Sequence, residues 1–170
     1  MKREVEYELA RNIRRLGHLD IEGGGEVVVR GSYAYVGHMK PPMGTSIIDV
    51  SDPANPTVVS HVAPPDEWSH THKVKVVGDL MITNVEMDRR HFLRKGDKIA
   101  GLRAEGLSDA QIAERLSVKP SDISVLEEAM QRGYHSGGFR IWDISDKTAP
   151  KLLSYVKTHG FGVHRFDMDA

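Results

Sequence analysis

A repeated β pattern, its interruption by helical spacing, and too few repeats to close a ring predict a mainly β chain. The fold class expected is a partial β-propeller of four-stranded antiparallel blades, with a helical insertion in the second blade and a short N-terminal helix. Gly44 to Pro56 reads GTSIIDVSDPANP, and Gly138 to Pro150 reads GFRIWDISDKTAP. Each copy is a β-rich run that ends in Asp-(Val/Ile)-Ser-Asp and leads to a Pro. The continuations match as well, VVSHV at Val58 to Val62 and LLSYV at Leu152 to Val156. Upstream, Val27 to Val36 aligns with Val74 to Thr83, each reading as two short strands around Gly31-Ser32 or Gly78-Asp79. Four short strands per unit of roughly 40–50 residues is the pattern of a propeller blade.

The elements follow in chain order. Residues 1–17 are highly charged, with Val5, Leu9 and Ile13 at helical spacing, and are expected to form an external helix. Residues 18–86 hold blade one and the first half of blade two. Asp49 and Asp143 are expected to fix the bend before the outer strand, because Asp and Ser beside a turn bond backbone N–H groups. Over residues 87–133 the alternation is lost and helical spacing replaces it. Ser108 and Gln111 form a capping box ahead of Ile112 and Leu116. Pro120 or Ser121 opens a further helix carrying Ile123, Leu126 and Met130, which Gly133 ends. An earlier helix is expected near Lys95 to Ala104. Residues 134–170 supply the rest of blade two and the start of a third. A ring needs at least four blades, so the chain is expected to be a fragment, the alternative being assembly that covers its edge strands.

Composition narrows the function. The chain has 170 residues, a formal net charge of -1 and no cysteine. A dedicated nucleic-acid binder would show a basic excess. Without thiolates, any metal must be held by His, Asp or Glu. No apolar run suits a secretory signal or a membrane span, so the expected location is the cytoplasm, with no membrane partner.

Ile47 to Pro56, Phe139 to Asp146 and Tyr33 to Val36 resemble the LVIVD-repeat family of β-propellers. The resemblance covers roughly residues 18 to 86 and 134 to 170 and leaves the helical insertion outside it. It implies the propeller fold and says little about activity.

The nine histidines carry the candidate chemistry. Blade alignment places His72 opposite His164, both at the start of a first strand, which is normally the innermost of a blade. Such imidazoles converge on the central channel, and neutral imidazole suits a divalent transition metal: Fe, Cu or Zn. His70, two residues from His72, shares its face in an extended strand. His135, before Gly137-Gly138, is placed to approach the same mouth. The competing readings are imidazoles that bond backbone carbonyls, or that contact a polar substrate. Glu86 and Asp88 are candidate supporting carboxylates, though solvated loop carboxylates are commoner. Trp68 and Trp142 are expected to pack between blades.

The helices from Gly106 to Leu126 resemble a helix-turn-helix, but the second offers Asp122, Glu127 and Glu128, which phosphate repels. A lid over the channel or a subunit contact fits better, since their apolar face must be buried. The leading expectation is a metal-dependent propeller acting on a small organic substrate. Its rival is a non-catalytic scaffold that binds a protein partner, or itself, through edge strands or the helical insertion. The residues leave open whether the chain is an enzyme.

Overall fold

The computed structural model describes residues 12–168. Strands β1 (Gly24–Arg30) and β2 (Tyr33–His38) form a hairpin across Gly31-Ser32. Strands β3 (Thr45–Asp49) and β4 (Thr57–Val62) complete a four-stranded antiparallel sheet in the order β1-β2-β3-β4. In the second sheet the two-residue strand β5 (Ser69–His70) and β6 (Val74–Val77) share one edge of β7 (Leu80–Met87). Strands β8 (Gly138–Asp143) and β9 (Lys151–Lys157) follow on the other edge. Strand dominates the described residues, in antiparallel sheets.

The sequence repeat is also a repeat of register. Tyr33 pairs with Asp49 as Leu80 pairs with Asp143. Both third-to-fourth ladders carry a bulge at the same place, between Ile47 and Ile48 and between Ile141 and Trp142. Asp49 accepts the Ser51 N–H and Asp143 the Ser145 N–H, each at 2.8 Å. The Ser51 hydroxyl and N–H hold the Asp49 carboxyl below its usual pKa, and the Ser145 N–H and hydroxyl do the same for Asp143, as expected of turn-fixing residues.

The two sheets stack face to face. Tyr35, Ile47 and Val62 meet Val74, Val76, Met81, Trp142 and Ile144 in one apolar core. Trp142 therefore packs between the sheets, whereas Trp68 is more than a third exposed beneath the Arg132 guanidinium. Polar contacts close the rim of this junction. Glu26 Oε2 accepts the Val74 N–H at 2.9 Å, and Ser60 Oγ donates to the Lys147 carbonyl at 2.6 Å.

Between β7 and β8 the chain runs through α1 (Arg90–Leu93), a 3₁₀ turn at Arg94–Lys98, α2 (Ile99–Ala104), α3 (Asp109–Leu116) and α4 (Asp122–Arg132). Leu93, Ile99, Leu102, Ile112, Leu116, Ile123 and Leu126 form their own core, which Met87 joins to β7. Arg103 ties α2 to α3 and α4 through Asp109 at 2.9 Å and Glu127 at 2.6 Å. The apolar faces expected to need a channel or a partner are thus buried among the helices themselves. The expected N-terminal helix falls largely on residues 1–11, which lie outside the described residues. Residues 12–17 carry no helix, and Ile13 is exposed.

Gln111 Oε1 accepts both the Ser108 N–H and the Ser108 hydroxyl at 2.9 Å, closing the start of α3. Gln111→Ala should cost about 1 kcal/mol, by analogy with helix-cap deletions. Urea unfolding checks this, and an unchanged midpoint would show that the box adds nothing.

Candidate metal centre

The site is built around the end of β7. Between β5 and β6 the edge strand breaks at Thr71 to Lys73, and the Asn84 side chain spans the gap. Its Oδ1 accepts the Lys73 N–H at 2.8 Å and its Nδ2 donates to the Val163 carbonyl at 2.8 Å. On the opposite edge of β7 the segment 161–163 takes over where β8 begins. The Met87 N–H reaches the Phe161 carbonyl at 2.9 Å, and the Val163 N–H reaches the Val85 carbonyl at 3.1 Å. Glu86 consequently pairs with His70 on one side and Gly162 on the other, with His164 just beyond.

Glu86 is 2% exposed, and three imidazoles and a guanidinium surround it. Its Oε2 lies 3.1 Å from His70 Nε2, 2.8 Å from His164 Nδ1 and 3.7 Å from His72 Nδ1. Arg90 Nη1 stands 2.7 Å from Oε1. Ligand atoms of His70, His72 and Glu86 all lie within 4.8 Å of one another, and all three residues are buried. The His72 and His164 ring centroids are 5.1 Å apart.

The hydrogen bonds set the charges. His70 Nδ1 faces the Met39 carbonyl at 2.9 Å while Nε2 faces the Glu86 carboxylate. Both neighbours are acceptors, so with no other cation the ring must donate from both nitrogens. Burial opposes the imidazolium, but the bonds to Glu86 and Met39 outweigh it and raise the His70 pKa. For His72, burial and the adjacent His70 depress the pKa to about 4, leaving the ring neutral. Burial alone would raise Glu86, yet His70, His164 and Arg90 bring it down to about 2. His72 Nε2 is buried and has no hydrogen-bond partner among the described residues. The Nδ1 of the same ring lies 3.7 Å from Glu86 Oε2 and 3.3 Å from Asn84 Nδ2, and a neutral imidazole beside a carboxylate and a second imidazole has the donor chemistry of a metal ligand.

These groups open into a cleft of about 250 Å³, bounded also by Met39, Met87, Arg89, Arg90 and His91. The first turn of the helical insertion therefore forms one wall of the site. His135 stays apart, exposed on the chain between α4 and β8. Asp88 lies at the margin, 3.8 Å from His70 Nδ1. Glu86 is central where a solvated loop carboxylate was the commoner expectation. Its spacing from Asn84 held a signal, since two polar residues at i, i+2 in an otherwise apolar strand share one face. His38 was not distinguished in the sequence. It is buried at the end of β2 on the face of Ala34 and Val36, with Nε2 at 2.8 Å from Ser46 Oγ. Ser46 in turn reaches His61 Nδ1 at 3.2 Å.

No helix among the described residues is long and apolar enough to cross a membrane. No curated protein and no solved structure matches the chain. The LVIVD repeat model matches residues 24–63 and 133–158. The first match spans the whole first sheet and the second spans β8 and β9, while His70, His72, Glu86 and His164 fall outside both. Each of the two sheets thus contains a segment that matches the LVIVD repeat.

Proposed function

We propose that the two sheets are consecutive blades of a β-propeller and that His70, His72 and Glu86 hold a divalent transition metal beside its axis. The propeller reading is supported by the convergence of the first strands. Lys75 of β6 lies 3.1 Å from Glu26 of β1 and 3.8 Å from Asp167 in the segment that follows β9. Successive units thus meet at the edge opposite their outer strands.

The observation that carries the metal reading is the convergence of three buried residues, with one ligand atom each of His70, His72 and Glu86 within 4.8 Å of one another. Two imidazoles and a carboxylate suit Fe, Zn or Cu. A bound cation would take the place of the proton that His70 shares with Glu86, and His164 would orient the carboxylate from its free side. The metal would supply Lewis acidity, and the cleft is large enough for a small organic substrate beside Arg89 and His91. Metal-assisted chemistry on such a substrate is the activity the site supports best.

Equilibrium dialysis against zinc or cobalt, with metal content measured by mass spectrometry, tests this. The expected result is one equivalent per chain, with affinity reduced more than about 100-fold in His72→Ala and about tenfold in His164→Ala. Wild-type protein that retains no metal, or His72→Ala that binds as wild type does, would overturn the reading. Circular dichroism confirms that each variant is folded.

A further inference from the structure

The side chains around Glu86 divide its two oxygens unequally. The imidazoles of His70, His164 and His72 all approach Oε2, at 3.1, 2.8 and 3.7 Å. Oε1 faces the Arg90 guanidinium instead, with Nη1 at 2.7 Å. The division follows from the path of the chain. Glu86 lies near the end of β7, and Arg90, four residues later, is the first residue of α1. Between them Arg89 takes the left-handed conformation, with φ 51° and ψ 29°, which L residues other than glycine adopt only at a cost. The Asp88 N–H reaches the Trp68 carbonyl at 2.7 Å and pins the same turn beside β5. The turn brings the guanidinium back over the carboxylate that the chain has just passed. The side chains of Arg90 and Glu86 are 21% and 2% exposed, so little water weakens their attraction.

We propose that Arg90 is a positioning residue: by holding Oε1 it presents only Oε2 of Glu86 to the metal, and so keeps one coordination position open. The inference rests on the metal reading and deepens it. A carboxylate with both oxygens free can turn both to one cation and fill two positions. With Oε1 held, His70, His72 and Glu86 supply three donor atoms. Catalytic zinc sites use that number and leave a fourth place for water or substrate. The cleft of about 250 Å³ that these residues bound has room for the fourth ligand. Loss of the guanidinium would close the site without removing any ligand.

Cobalt loaded into the full chain tests this, because four-coordinate cobalt absorbs visible light far more strongly than five- or six-coordinate cobalt. The wild type should give the intense four-coordinate spectrum, and azide entering the open position should shift it. Arg90→Ala should still take up cobalt, with a weaker spectrum and an azide affinity at least about tenfold lower, the scale on which partners of metal ligands act. Millimolar guanidinium should restore both properties to Arg90→Ala, which it would not do for a residue that only supports the fold. Arg90→Gln keeps most of the side chain's length without its charge. It carries the same expectation of a weaker spectrum and decides the question if Arg90→Ala does not fold. A five-coordinate spectrum in the wild type, a wild-type spectrum in either variant, or no rescue by guanidinium would overturn the role of Arg90 and leave the metal reading standing. A wild-type chain that takes up no cobalt would overturn both.

Discussion

Glu86→Gln is expected to weaken metal binding more than about 100-fold and to remove roughly 3 kcal/mol of stability at neutral pH. The carboxylate is the common partner of His70, His164 and Arg90, and its pKa lies at about 2 against an ordinary 4.5. As pH falls below 4.5 the unfolded chain takes up a proton at this position, but the folded chain does so only near pH 2. The contribution is therefore complete above pH 4.5 and is lost through that window. His72 loses stability in a higher window. Its folded pKa near 4 lies below the 6.5 of the unfolded chain, so protonation favours unfolding as pH falls from 6.5 to 4. His70 acts in the opposite sense. Its raised pKa adds stability at low pH that disappears as pH rises through the folded value. Urea unfolding of the metal-free protein across acid pH should show the wild-type curve falling toward the Glu86→Gln curve below pH 4.5. Parallel curves would show that Glu86 is not held ionised by its neighbours.

The second large effect is expected at the start of the third strand of each repeat. Gly44 has φ 62° and Gly138 φ 149°, both in the region that favours glycine. A Cβ on Gly44 would stand 2.0 Å from the Val62 carbonyl oxygen, and one on Gly138 2.0 Å from that of Val156. These are backbone atoms of the paired fourth strand, so relief requires breaking the ladder. Each Gly→Ala change should cost about 3 kcal/mol or more, lowering the melting temperature by about 10 °C. Gly31→Ala is the control. Gly31 also has positive φ, at 56°, but nothing lies within 4 Å of its Cβ position, so only about 1 kcal/mol is expected there. Equal losses at all three positions would mean that backbone conformation alone, not the close approach, requires glycine at Gly44 and Gly138.

The strands were legible because the repeat doubles every local signal. Ile47 and Ile141 face Ser60 and Ser154 in turn, with the same bulge and the same Asp-bounded turn, so the ladder could be read from the alignment. The α3 and α4 boundaries were legible from capping chemistry at Ser108, Gln111 and Gly133. Where the helical apolar faces go was not legible, since spacing shows that a face exists but not which helix covers it. The site was half legible. Repeat position identified His72 and His164, and i, i+2 spacing added His70. Glu86 could not be ranked above a loop carboxylate, because its burial comes from two separate segments meeting on β7. His135 was placed near the site by proximity in sequence to the paired glycines, whereas the structure leaves it in solvent.

The same meeting on β7 has a kinetic consequence. Glu86 and His164 are separated by 78 positions, with the helices and two strands between them. The helices gain their core from contacts close in sequence and can form early. The His164 contact must await the return of the chain past β9, with the loop-closure entropy already offset by the helical core. Complete assembly of the histidine cluster should therefore be among the last events of folding. A cobalt spectrum developing during refolding would mark its completion, while far-ultraviolet dichroism would report the earlier formation of the helices.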